Sequence, residues 1–195
     1  YAIQGRGRLT FVPELSTTVY RFDDVVLPGL GYGQSYRDRS VYQAALTTKY
    51  EFARSRNILL VFRGTRIDYE TQPSGLLSRN SVGGTVLLGL DYGASGLFQY
   101  QALVGYQQRK YATPRYSNLS GPVIEASMTW KPTRITTVTA TLRHNIEDAA
   151  TENLVAYTYT ATRLGVDHSY RRNIILRAYA EVQRADFGAG REPPQ

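Results

Sequence analysis

Asn80-Ser81-Val82-Gly83-Gly84-Thr85-Val86-Leu87-Leu88-Gly89-Leu90-Asp91-Tyr92 is the stretch that decides how this chain folds. Its even positions carry Val82, Val86, Leu88, Leu90 and Tyr92, and its odd positions carry Ser81, Thr85, Gly89 and Asp91. That is period two, the repeat of a β-strand with one apolar and one polar face. After Ala94-Ser95-Gly96 the pattern resumes. Phe98, Tyr100, Ala102, Val104 and Tyr106 fall on one side, Gln99, Gln101, Gln107 and Arg109 on the other. Two alternating runs around a short Gly-containing link predict an antiparallel hairpin.

The same alternation extends both ways. Tyr42, Ala44, Leu46, Tyr50 and Phe52 oppose Gln43, Thr47, Lys49 and Glu51, and past Arg54-Ser55 the residues Ile58, Leu60 and Phe62 oppose Asn57 and Arg63. Downstream, Ile124, Ala126, Met128 and Trp130 oppose Glu125, Ser127, Thr129 and Lys131, and Val138, Ala140 and Leu142 oppose Thr137, Thr139, Thr141 and Arg143. The first strand sets Ile3, Leu9 and Phe11 against Gln4, Arg6, Arg8 and Thr10, and the last sets Ile174, Leu176, Ala178, Ala180 and Val182 against Arg177, Tyr179, Glu181 and Gln183. Between Leu154 and Tyr170 the apolar set changes parity, from Tyr157 and Tyr159 to Leu164 and Val166, which predicts a β-bulge. The expectation is roughly ten strands and no helix, far above the usual strand content of a soluble domain.

Tight turns are expected near Pro13, Arg54, Ser95, Pro132 and Arg171, roughly 40 residues apart, the period of two long strands plus a longer connection. The longer connections, near Val25–Arg37, Glu70–Arg79, Ala112–Asn118, Glu147–Glu152 and the Phe187 tail, carry Gly, Pro, Asp and Asn. Short turns alternating with longer polar loops is the plan of an up-and-down outer-membrane barrel, and four-stranded propeller blades are not visible. Phe11, Phe52, Phe98, Trp130 and Tyr170 near the short turns, and Tyr69, Tyr111 and Phe187 near the long loops, suggest two interfacial aromatic belts.

Composition agrees. The 195 residues hold 16 Tyr, one Trp, one Met and no Cys, so a disulfide scaffold, a cysteine zinc site and a thiol nucleophile are excluded. The net charge of +7 comes from scattered Arg with no basic block, which argues against nucleic acid as a partner. No apolar run is long enough for a transmembrane helix, a test that leaves β-barrels untouched.

The paired openings Arg56-Asn57-Ile58 and Arg172-Asn173-Ile174, the closings Asp68-Tyr69 and Asp186-Phe187, and the Trp130-Lys131-Pro132-Thr133 turn with its Thr-rich strand resemble the β-barrel porin type 2 family of Gram-negative outer membranes. The resemblance covers most of the chain. It implies an outer-membrane location more firmly than a substrate, and some members are associated with exopolysaccharide export. The chain ends in Pro193-Pro194-Gln195 and not in the terminal aromatic strand typical of such barrels. We therefore read residues 1–195 as one barrel domain, all-β, transmembrane and antiparallel, with strands expected to be missing from one or both ends; by count alone ten strands suit either a complete small barrel or part of a larger one.

A charge facing lipid near the midplane costs on the order of 2–4 kcal/mol, so the polar parity is expected to face a wet lumen. The predicted lumen lining is Arg6, Arg8, Lys49, Glu51, Arg63, Asp91, Arg109, Glu125, Lys131, Arg143, Arg177 and Glu181. An excess of guanidinium groups favours anionic solutes, whereas Arg–Glu pairing across strands would merely fill the space. Gly29-Leu30-Gly31-Tyr32-Gly33 lacks the Lys-Ser/Thr of a phosphate loop and reads as an external loop. His144 and His168 are expected at opposite strand ends, too far apart to share a metal or act as one base. No catalytic residue, metal or cofactor is predicted. The expected function is passive diffusion of small polar, anionic or sugar-like solutes. A plugged accessory barrel assisting polysaccharide export and a soluble β-sandwich binding module are the alternatives. The expected partners are outer-membrane lipid and lipopolysaccharide, with a homo-oligomer or envelope partner open.

Overall fold

The computed structural model describes residues 3–4, 7–23, 25–27, 30–32, 37–70, 78–93, 96–114, 118–148 and 156–186. Among them there is no helix. The strands are β1 (Ile3–Gln4), β2 (Leu9–Tyr20), β3 (Val25–Leu27), β4 (Leu30–Tyr32), β5 (Arg39–Ala53), β6 (Arg56–Tyr69), β7 (Ser81–Tyr92), β8 (Phe98–Tyr111), β9 (Leu119–Thr133), β10 (Thr136–Asp148), β11 (Ala156–Arg171) and β12 (Ile174–Asp186). Ten of them form a single antiparallel sheet in the order β1-β2-β5-β6-β7-β8-β9-β10-β11-β12. Each long strand pairs with the next in sequence, the up-and-down arrangement that the alternation predicts. The small β3–β4 hairpin, with Val26 opposite Gly31, occupies the segment expected to be plain loop. Among the described residues β1 and β12 do not pair, so the sheet has two open edges, and every residue of β12 is exposed.

Register fixes which side chains share a face. Apart from the irregular pairs beside the short turns, Ala53↔Arg56, Thr133↔Thr136 and Arg171↔Ile174, the registers from β5 to β12 couple odd with odd and even with even, as in Arg63↔Thr85, Thr85↔Gln107, Glu125↔Arg143 and Arg163↔Glu181. The even residues of these strands therefore make one surface. On β2 the parity inverts, because Leu9 pairs with Tyr50 and Glu14 with Ala45.

Three expectations need correction. β2 runs straight through Pro13, paired with Leu46, so no turn lies there. The reason is direction: Glu51 N donates to Arg8 O, so even residues of β2 face β5 and Pro13 turns its missing donor toward the outer edge, where proline is tolerated. The Pro132 turn closes two residues later, β9 continuing through Thr133. No bulge divides β11 at its apolar switch. Asp148↔Ala156 to Thr136↔His168 is one continuous register, so Tyr157 and Tyr159 lie on the odd face, and the irregularity falls at Ser169/Arg171.

The sheet is curled toward its odd face. Following register from Arg63 through Thr85 and Gln107 leads to Gly121 on β9, and Glu125 stands four residues further along. In a flat sheet the two Cα atoms would be about 20 Å apart, three strand spacings across and four residues along. Yet Arg63 Nη1 lies 2.8 Å from Glu125 Oε1 and Nη2 lies 3.4 Å from Oε2. Only strong curvature along that diagonal brings them together. A diagonal of this slope tilts the strands by roughly 40° to the axis of curl, within the 35–45° of transmembrane barrels.

Part of the concave face is dry. Leu59, Val61, Leu87, Leu103 and Val123, all odd, form a buried cluster, with Leu59 and Leu87 at 0% and Val123 at 1% exposure. Val61 pairs with Leu87, and Leu87 with Gly105, which in turn pairs with Val123. The absent side chain at Gly105 is a steric requirement, since a Cβ there would sit 1.9 Å from the Val86 carbonyl oxygen.

Candidate functional site: the concave face

The same diagonal levels the convex face. Stepping about four residues per three strands brings Phe11, Tyr50, Tyr92, Phe98 and Trp130 to one height within about a residue's rise. Rings in this belt touch: Tyr92 stacks on Tyr100 at 5.2 Å, and Arg56 lies over Tyr92 at 5.4 Å. Tyr42 and Tyr106 share a second level, and Tyr42 to Tyr50 along β5 corresponds to about 20 Å of axial height. Between the levels the outward positions are apolar, Ala or Thr, with Val86, Leu88, Val104 and Leu164 about half exposed. The outward charges of the described strands stand only at strand ends: Arg56 at the short turns, and Arg66, Asp68, Lys110, Arg184 and Asp186 toward the long loops. Tyr69 and Tyr111, expected in the upper belt, instead point inward. Tyr111 is buried, and Tyr69 carries Arg79 over its ring at 5.1 Å. Phe187 lies outside the described residues.

At mid-height the concave face holds a cavity of about 660 Å³. Around it stand Glu14 of β2, Gln43 of β5, Arg63 of β6, Gln101 of β8, Glu125 of β9, Arg143 of β10, Tyr159 and Arg163 of β11, and Glu181 of β12. Every long strand except β7 contributes, because the diagonal carries inward residues of successive strands to a similar level. Glu125 is gripped by Arg63 and faces Arg143 directly in register, and Arg143 Nη2 lies 3.6 Å from Glu147 Oε1. Arg163 faces Glu181 in register and lies over the Tyr179 ring at 4.7 Å. Three guanidinium groups and three carboxylates line one space, so the ring is balanced in charge and rich in paired donors and acceptors.

The predicted lining divides. Arg63, Glu125, Arg143 and Glu181 meet at the cavity. Arg8, Lys49, Glu51, Asp91 and Lys131 sit toward the short turns, where Glu51 Oε1 accepts from Ser55 N at 3.1 Å and Asp91 Oδ2 accepts from Asn57 Nδ2 at 3.1 Å. Ser55, at φ 56, is the left-handed residue of that turn. Arg177 pairs with Asp167 at 3.8 Å, and Arg109 is buried toward the long loops at 6% exposure, so neither reaches the cavity. Arg6 lies outside the described residues. Gln43 and Gln101, both on the predicted polar parity, line the cavity as well, whereas sequence reasoning missed Glu14, Tyr159 and Arg163 there. Odd parity carried through β11 would have found Arg163 and Tyr159. Beside these polar residues the concave face also carries the buried Leu59–Val123 cluster. The two histidines point outward at opposite strand ends, His144 Nδ1 2.8 Å from Thr160 Oγ1 and His168 Nδ1 2.9 Å from Thr136 Oγ1.

A curled antiparallel wall with an apolar convex band is the general plan of an up-and-down outer-membrane barrel, and a family model matches this chain. That model, described as Putative beta-barrel porin 2, matches residues 3–193. The chain belongs to this family. In this β-barrel porin 2 wall the cavity lies on the concave face and the apolar band on the convex face. No curated protein and no solved structure matches the chain.

Proposed function

We propose that the protein is an outer-membrane channel of a Gram-negative bacterium through which small polar solutes diffuse passively, with sugar-like solutes better suited than simple anions. The observation that carries this reading is the 660 Å³ cavity lined by Arg63, Arg143 and Arg163 against Glu14, Glu125 and Glu181. Balanced charge gives little net attraction for an anion. Forked donors and acceptors beside the Tyr159 ring suit a polyhydroxylated solute. Arg39 and Arg79, stacked on Tyr20 and Tyr69 toward the long loops, add positive charge at the mouth and support tolerance of anionic sugars. The convex band would meet lipid, and Arg66, Lys110 and Arg184 at its long-loop end would stand near lipopolysaccharide phosphates. No reaction is part of the proposal.

Single-channel recording in planar bilayers, with liposome swelling in isosmotic sugars, tests it. We expect discrete currents, swelling by small sugars, and a weak anion preference that Arg163→Glu reverses. Absence of both current and swelling beyond protein-free controls would overturn the channel. It would favour the accessory-barrel reading, which the dry Leu59–Val123 cluster on the concave face supports.

A further inference from the structure

The ladder between β9 and β10 stops early. β9 begins at Leu119 and pairs with β8 over its length, but its register with β10 ends at Ile124↔His144. β10 nevertheless runs on to Asp148, paired with β11. The cause is covalent. Lys131 N donates to Leu97 O of the β8 side, so odd residues of β9 turn their N–H toward β8 and even residues toward β10. The next even residue past Ile124 is Pro122, which has no N–H to give.

Released from β9, the end of β10 lies on the concave side. Ile146 is buried with Tyr111 and Leu119, and its Cδ1 is 3.4 Å from where a Cβ on Gly121 would stand. The carboxamide of Gln107, two strands away on β8, donates from Nε2 to Ile146 O at 3.3 Å and accepts at Oε1 from Ile146 N at 3.4 Å. A single side chain has replaced a strand as the ladder partner. In this position Asn145 Oδ1 is buried without a hydrogen bond.

We propose that Gln107 is a latch: it holds the long-loop end of the β10–β11 hairpin folded into the mouth of the lumen, and its release lets the hairpin swing outward and widen the mouth. Both latch bonds are near the long limit for hydrogen bonds, so they hold less firmly than a continuous ladder. Pro122 keeps the ladder from closing in their place. Swinging outward would also return Asn145 Oδ1 to a partner or to water, which biases the hairpin toward a second position. Latching is independent of what passes through the lumen, although one readout below rests on the channel reading.

The chain has no cysteine, so introduced thiols report cleanly. Gly121→Cys with Ile146→Cys should lock the hairpin inward on oxidation, losing the higher conductance level, which reduction restores. Gln107→Ala should raise mean conductance and add transitions between levels. Identical currents in the oxidised, reduced and Gln107→Ala proteins would overturn the latch. A second arm needs no current: spin labels on cysteines replacing Ser120 and Thr160, either side of the seam, should show a longer and broader distance distribution with Gln107→Ala than without it. An unchanged single distance would also overturn the latch. A shifted distance with no current in any variant would leave the latch standing and remove the channel.

Discussion

Arg63 and Glu125 meet in a two-point ion pair across three strands of the sheet, a contact that no flat arrangement of those strands permits. The pair thus records the direction in which the wall bends, and the outer aromatic belts follow that direction. Curvature, concave cavity and convex band are one geometric fact seen from two sides.

If this pair helps hold the curl, Arg63→Ala and Glu125→Ala should not be additive. Both side chains are about a quarter exposed, so a coupling of about 1 kcal/mol is expected in a double-mutant cycle of urea unfolding from detergent micelles. Strict additivity would mean that the bend is held elsewhere.

Gly105→Ala should destabilise the protein far more than its size suggests. The new Cβ would collide with the Val86 carbonyl beneath the Leu87 contact, a loss of about 2–4 kcal/mol or failure to fold, read as loss of the heat-modifiable band on electrophoresis. Gly84→Ala, where nothing lies within 4 Å, is the matched control and should leave the band intact.

Leu88→Arg puts a charge on the convex band midway between the belts. In phospholipid bilayers the cost should be on the order of 2–4 kcal/mol by equilibrium unfolding, and Lys110→Ala at the strand end should cost almost nothing. Equal effects would refute the placement of the band.

Trp130, the only tryptophan, stands outward in the short-turn belt and is 46% exposed. Its fluorescence in liposomes should be quenched more by lipids brominated near the headgroup than by lipids brominated near the chain end. The reverse order would place the belt in the bilayer centre and undo the height assignment.

Much of this was legible in sequence because period two is local: Val82, Val86, Leu88 and Leu90 declare a face without reference to any other strand. Arg163 was lost for an instructive reason. Grouping Tyr157 and Tyr159 with Leu164 and Val166 as one apolar set predicts a bulge between them, and a bulge there leaves the face of Arg163 undetermined. Tyrosine is amphipathic and serves either face, so it is a poor witness to parity. The dry cluster left a signal that the alternation obscured. Ile58-Leu59-Leu60-Val61-Phe62 and Val86-Leu87-Leu88 are apolar on both parities, as strands covered on both sides are. What the sequence could not convey is the diagonal, since Arg63 and Glu125 become neighbours only after four strands have set their registers and curled.

The two outer aromatic levels have a further consequence. Held about 20 Å apart by rigid strands, they act as a gauge of membrane thickness that the protein cannot adjust by tilting single segments as helices do. A thick bilayer must thin around such a wall, and a thin one accepts it without deformation. Insertion should therefore be fastest into short-chain lipids and slow as the acyl chains lengthen.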